Sequence, residues 1–329
     1  MDMIHATETY FLDVLDESGR LIRSVELDED AFMACYEDAL FAGICAGQIP
    51  NTDRFPIATV EPCRPTPNSP YLTGITMHIP PVTRSYSLSA FADVAYTLER
   101  PPTEHPEVPE AELAGTVLWR LRSIPHHPTP RHRPRATVRR QPYPLHHASL
   151  ESWQVPHLTA SPPPFELYVS KAVIAELRED TGRSLHVEQA AILTGRLIQD
   201  PDGSVAVLVT GRTPATVEAK GTAAAFAFSP LTFAAARTES LACDPGCTIV
   251  GWAHNHPVCQ DCPLLEPYCQ SETVFFSLAD RLVHRTSFAA PYSVALVLGK
   301  GRHKSPTDPI VRAYAWTHGT INEHPMHVF

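Results

Sequence analysis

No stretch of this 329-residue chain stays apolar for the roughly 20 residues that a membrane-crossing helix needs, so no membrane-embedded role is expected. The acidic N-terminal segment lacks the apolar core of a secretory signal. Without such a signal, the eight cysteines point to a reducing, cytoplasmic setting, with thiols or zinc rather than disulfides. Positive charge is also short. Lys and Arg number 26 against 36 Asp and Glu, a formal net charge of -10, which argues against general affinity for nucleic acid. What the chain does have is an apolar fraction of 43%, enough for real cores, and a length that allows about two domains.

The front of the chain reads as a small α+β module, residues 1–123. Strands are predicted over Thr7–Leu15 and Leu21–Leu27, across the turn Asp16–Gly19. The acidic cap Asp28–Asp30 then starts an amphipathic helix that runs to about Ala46. Further strands are predicted near Ile57–Val60, Gly74–Ile79 and Gly115–Arg122, with a helix near Leu88–Ala95. The module shows no catalytic constellation. Cys35, Cys45 and Cys63 have no metal-ligand spacing, and core packing is the better account of Cys35 and Cys45. The 33 prolines are about twice the average usage, and they concentrate between residues 124 and 164. There Arg131, Arg135, Arg139 and Arg140 stand in a run with no acid between Glu112 and Glu151. Such composition predicts an extended spacer unable to bury a core, with a basic arm that docks on nucleic acid or an acidic partner, or that folds back on this acidic protein, as the other readings.

The second half, residues 165–329, is organised around His254-Asn255-His256-Pro257. The preceding Thr248-Ile-Val-Gly-Trp-Ala run reads as a buried strand, and an H-x-H at its end aims both imidazoles at one pocket, because alternate residues share a face. Pro257 stops the strand. Ser277 and Asp280 open a helix downstream, with Asp280 in its first turn. With 17 histidines in the chain, any single one is more often a surface or capping residue than a ligand. Two imidazoles, one carboxylate and an open fourth position together describe a catalytic rather than a structural zinc site. Around this segment, strands are predicted at Phe165–Val169, from Glu188, from Ser204, at Tyr292–Leu298 and at Ile310–Trp316. Helices are predicted from Ser170 to about Glu179, with an end at Asp180–Gly182, and from Ser229-Pro230 to about Leu241.

With Glu188-x-x-Ala191-x-Leu193-x-Gly195 upstream, the pattern resembles the JAB/MPN metalloprotease family, also called JAMM. Its motif is E-x-x-G-x-L-x-G, then H-x-H-P, then S-x-x-D; Ala191 replaces the first glycine. The resemblance covers roughly the second half of the chain. It implies a curved mixed sheet flanked by helices, and a catalytic zinc held by His254, His256 and Asp280. A zinc-bound water would be deprotonated by Glu188 as general base, and Ser277 would hydrogen-bond the oxyanion. It further implies a zinc isopeptidase or peptidase cutting after the C-terminal tail of a ubiquitin-like protein, free or conjugated. E1/E2-like members of such a pathway would be further partners, and the N-terminal module would recognise the conjugate.

Two departures bear on this. His256 and Asp280 stand farther apart than the family usually allows, because of a Cys-rich insertion at about 258–272. It carries Cys259, Cys262 and Cys269, with Cys243 and Cys247 just upstream, and four of these five thiols could close a structural zinc. The late loop around His303 has no cysteine, so the additional zinc of some deubiquitinating members is not expected there. Two other readings rank lower. A zinc nucleobase deaminase could use His186, Glu188, Cys259 and Cys262, but Val258 stands where its motif has proline and the three H-x-H and S-x-x-D ligands would be idle. A non-catalytic zinc-bearing scaffold would leave the complete ligand set unexplained.

Overall fold

Apolar, β-branched runs become the buried strands of a computed structural model that describes residues 3–99, 118–125, 139–153, 155, 165–183, 188–215, 228–256, 274–299 and 309–329. The chain divides into two units, Met1–Tyr143 with His318–Thr320, and Pro144–Thr317 with Ile321–Phe329. Both combine helices with sheets, so the class is mixed α/β. Among the described residues, no helix is long and apolar enough to cross a membrane.

The first unit contains β1 (Ile4–Ala6), β2 (Glu8–Leu15), β3 (Leu21–Glu26), α1 (Met33–Cys45), β4 (Ala58–Cys63), β5 (Gly74–Ile79), β6 (Val82–Ser87), α2 (Ala92–Glu99) and β7 (Leu118–Pro125). They form a four-stranded sheet in the order β1-β4-β5-β6 and a three-stranded sheet in the order β3-β2-β7. Tyr10, Phe32 and Phe91 meet edge to face in its core, with ring centroids 5.2 and 5.7 Å apart, a geometry that suits the aromatic quadrupoles. Cys35 is fully buried on α1. Burial pushes the half-buried Cys45 thiol up to about 12, so it stays protonated.

In the second unit, β8 (Leu145–His147), β9 (Glu166–Val169), β10 (Ala190–Gln199), β11 (Val205–Pro214), β12 (Thr248–Asn255), β13 (Val294–Gly299), β14 (Ile310–Thr317), β15 (Thr320–His324) and β16 (His327–Val328) make a nine-stranded mixed sheet. Its order is β15-β14-β13-β12-β10-β11-β9-β16, with β8 joined to β10. Pairing is antiparallel for β10 with β11 and β12, and parallel for β12 with β13 and β9 with β11. Register shifts near Thr194 and Gly195 mark a bulge, the device that bends a strand. Gly195 is needed there, because a Cβ would lie 1.8 Å from the Leu208 carbonyl oxygen.

Helices α3 (Lys171–Arg183), α4 (Pro230–Cys243) and α5 (Leu278–Ser287) accompany this sheet. Leu177 and Thr181 of α3 share a small pocket with Ala191, Ala253 and Asn255. On the opposite face of β12, Trp252 meets Phe288, which follows α5, and Phe228, which precedes α4. Helices therefore cover both faces, and β12 is buried from Val250 to Asn255. Ser229 caps α4 by accepting from Thr232 N, with Pro230 in the first turn.

Two expectations need correction. α3 does not stop at Asp180–Gly182 but continues to Arg183. The Thr181 hydroxyl bonds back to the Leu177 carbonyl at 2.9 Å and Asp180 pairs with Arg212, which holds the last turn despite the glycine. Nor is the whole 124–164 stretch a spacer. Arg140 is buried, with its guanidinium 4.2 Å over the Tyr143 ring, and Tyr143 exchanges two hydrogen bonds with Asn51. Leu145–His147 pairs with β10, and Leu150 and Val155 pack with Tyr168, Ile198, Ala206 and Leu208. The few apolar residues among the prolines suffice, because they add to cores already built by other strands. Residues 126–138, which hold Arg131 and Arg135, lie outside the described residues.

Candidate metal centre

The site forms where one strand ends and one helix begins. The backbone N–H of His256 donates to the Leu298 carbonyl at 2.8 Å, so extended pairing with β13 persists one residue beyond β12. His254 and His256 therefore keep the alternation of a strand and point to the same side. Gly251 permits the close approach of β13 just before them; a Cβ there would lie 1.9 Å from the Val294 carbonyl oxygen.

At the helix, Ser277 is the N-cap of α5 and forms a capping box with Asp280. Ser277 Oγ accepts from Asp280 N at 3.1 Å, and Asp280 Oδ2 accepts from Ser277 N at 2.8 Å. The short carboxylate is thus fixed at the helix mouth, with each oxygen also turned to an imidazole.

The three side chains are buried and their ligand atoms converge. His254 Nε2 lies 3.0 Å from His256 Nε2 and 3.0 Å from Asp280 Oδ1, and His256 Nε2 lies 3.3 Å from Asp280 Oδ2. Around a tetrahedral zinc with bonds of about 2.0–2.1 Å, neighbouring ligand atoms stand about 3.3–3.5 Å apart, so a small outward adjustment would seat the ion. Two imidazole nitrogens and a carboxylate are three electron-pair donors meeting at a point, the chemistry of a cation site. Burial raises the Asp280 pKa, but His254 and His256 outweigh it and hold the group well below the usual carboxylate range. Asp280 is accordingly ionised and ready to ligate.

Glu188 precedes β10 and is buried. The register Ala190–His254, extended by Asn255 N donating to the Gln189 carbonyl at 3.1 Å, sets Glu188 opposite His256 in the ladder. Directly opposed residues of an antiparallel pair share a face, so Glu188 belongs to the histidine side of the sheet. Asn255 points to the other face and accepts from Gln189 N at 2.6 Å through its side chain. That bond pins the segment carrying Glu188.

Sequence reasoning missed three neighbours. Trp252 stacks on His254 with centroids 4.6 Å apart and planes 11° apart, while its Nε1–H donates to His284 Nδ1 at 3.1 Å. His284 is wholly buried among Phe276, Phe288, Trp316 and Trp252, and burial pushes its pKa down to about 3. Phe275 is about half exposed, its ring 4.7 Å from that of His256. The signal for the first two was present: Trp252 is two residues before His254 on a strand, and His284 is one helical turn after Asp280.

Cys259, Cys262 and Cys269 of the expected second zinc lie outside the described residues, as do His186, Pro257 and His303. Cys243 is exposed and Cys247 half-buried, both as free thiols, and burial raises the Cys247 pKa. Among the described residues, His254, His256 and Asp280 form the one group placed to share a metal.

No protein-family model and no curated protein matches the chain. Among solved structures, the solution structure of protein DSY2949 from Desulfitobacterium hafniense is similar at 17% identity, over 50% of this chain and 92% of that one, with a TM-score of 0.35.

Proposed function

We propose that the chain is a zinc metallopeptidase of the JAB/MPN (JAMM) type, cleaving a peptide or isopeptide bond after the C-terminal tail of a ubiquitin-like protein. The single observation that carries the reading is the convergence of His254, His256 and Asp280 within hydrogen-bond reach of one another, two from a strand end and one from a helix mouth. When bound, zinc supplies Lewis acidity and makes an attacking water acidic near neutral pH. The chain's own residues do the rest. Glu188 takes a proton from the water as its oxygen bonds to the scissile carbonyl carbon. It returns that proton to the amine nitrogen as the C–N bond breaks. The capping bond uses a lone pair of Ser277 Oγ, which leaves the hydroxyl proton to donate to the developing oxyanion. The N-terminal unit is assigned recognition of the conjugate or of an E1/E2-like partner.

The test joins metal content to turnover. Purified wild type should hold zinc at His254, His256 and Asp280, and His254→Ala/His256→Ala should lose that ion. Glu188→Gln should keep the ion and release no product from a ubiquitin-like protein fused through its C-terminal tail. Full-rate cleavage by Glu188→Gln would sink the mechanism, and a zinc content indifferent to the histidines would sink the site.

A further inference from the structure

A ligating histidine normally donates its second ring N–H to a carboxylate or carbonyl, which fixes both tautomer and orientation. His254 departs from this: its Nδ1 is buried and has no hydrogen-bond partner among the described residues. Something else must hold the ring. Its face lies on the indole of Trp252, nearly parallel, and Phe288 stacks on Trp252 as well, 5.9 Å away at 15°. Trp252 therefore cannot tilt without displacing a ring stacked on it. Phe228 meets it in a T-shaped contact at 5.7 Å and 88°. What sets the remaining freedom, rotation of the indole within its own plane, is the hydrogen bond from Nε1 to His284 Nδ1.

The position of His284 gives that bond a second consequence. It lies one turn along α5 from Asp280, so the helix that supplies the carboxylate also supplies the acceptor. β12 in turn supplies both Trp252 and His254. The indole bond joins the two ligand-bearing elements two residues from one ligand and four from another. We infer that Trp252 and His284 are positioning residues for the metal centre, a strand-to-helix tie that sets the gap between His254 and Asp280 and replaces the missing polar partner of His254. The inference rests on the reading of His254, His256 and Asp280 as metal ligands.

His284 accepts through Nδ1, so its ring proton resides on Nε2, and the residue must be neutral to serve. Asparagine can present Oδ1 near the place of Nδ1, whereas leucine presents nothing. Phenylalanine at 252 keeps a stacking face and loses the N–H. These three substitutions separate positioning from bulk packing.

The experiment measures zinc affinity of the full-length protein by competition with a chromophoric chelator, together with the visible spectrum of the cobalt-substituted protein and the melting temperature of the metal-free protein. His284→Leu and Trp252→Phe should each weaken zinc about 10-fold or more and alter the cobalt bands, as loss of an outer-shell partner does. His284→Asn should return affinity and spectrum to near wild type. A purely packing role would lower the melting temperatures and leave the affinity and spectrum of the folded protein unchanged, and that result would overturn the inference. If His284→Leu fails to fold, Trp252→Phe decides the question by the same readouts. Wild type that takes up neither zinc nor cobalt defeats the metal-site reading itself. Wild type that binds tightly, with the variants equal to it, defeats only the tie.

Discussion

Each unit of this protein buries several carboxylates, and Asp13 of the first and Asp280 of the second are treated in opposite ways. In the N-terminal unit, Asp13 is 1% exposed and meets Arg122 at 3.0 Å, Arg120 at 3.4 Å and the Ser24 hydroxyl at 2.6 Å. Its charge is answered by cations and a donor supplied by the strands on either side, β7 and β3. In the C-terminal unit, Asp280 is 6% exposed and meets two imidazoles and a backbone N–H. Imidazoles at neutral pH offer lone pairs as readily as protons. The first cluster is electrically complete from the chain alone. The second gathers donors of electron pairs and invites a cation. Burial of a charged group thus says little by itself; the kind of partner separates a structural cluster from a candidate centre.

Exchanging the perturbation between the two clusters tests that contrast most severely. Asp280→Asn should weaken zinc binding by more than about 100-fold, beyond the loss typical of an outer-shell partner, and should also lower the stability of the metal-free protein, because its depressed pKa marks a charge that the folded chain favours. Asp13→Asn should leave zinc content untouched. It should lower stability by about 3 kcal/mol, the low end for breaking a buried pair, since Arg120 and Arg122 stay 35% and 23% exposed and can recover water. Urea titration and metal analysis of the two variants read the outcome. Similar behaviour of the two would erase the distinction.

A smaller effect comes from pH. His284 carries a folded pKa of about 3 against an ordinary 6.5, because burial disfavours its charge. As pH falls below about 6.5 the unfolded chain takes up a proton that the folded one refuses. The neutral ring's contribution is therefore whole above that pH and lost on the way down, at up to about 1.4 kcal/mol per pH unit, until about pH 3. Burial also lowers the pKa of His324, and carboxylates shifted by the fold, Asp280 downward and Glu37 upward, titrate nearby, so the bare slope of the wild type reports several groups. Subtracting the slope of His284→Asn, measured by urea unfolding of metal-free protein between pH 4 and 7, isolates the buried ring. Equal slopes in the two proteins would mean that His284 is not held neutral by its aromatic surroundings.

How much of this was legible in the sequence follows the range of the interactions. The H-x-H alternation, the Ser277–Asp280 cap and the Pro230 start are local rules, and each element formed as its residues dictated. Gly195 was singled out only as part of a pattern; its physical reason, the Leu208 carbonyl, comes from a neighbouring strand that no local window contains. The same holds for residues 139–155. Their proline content argues for a spacer, yet Leu150 donates its N–H to the Asp200 carboxylate at 2.7 Å, in a turn fifty residues away. Trp252 and His284 were passed over for a related reason. Each looks like ordinary core in its own element, and only pairing across elements gives them a polar contact in the middle of an aromatic cluster.

Ser277 offers the gentlest perturbation of binding and stability, because it serves the helix and the site through different atoms. Its hydroxyl oxygen caps Asp280 N, and its backbone N–H holds Asp280 Oδ2. Replacement by alanine removes the first bond and keeps the second. Stability should therefore fall by about 1 kcal/mol, the usual loss for an N-cap, as read by urea titration. Zinc affinity should stay close to wild type, since the carboxylate keeps its backbone anchor. Turnover on the ubiquitin-like fusion should fall about 100-fold if the hydroxyl proton meets the oxyanion. A Ser277→Ala protein that loses zinc would show the side-chain cap, rather than the backbone N–H, to be what aims Asp280. One that keeps both zinc and full turnover would leave Ser277 as a helix cap alone.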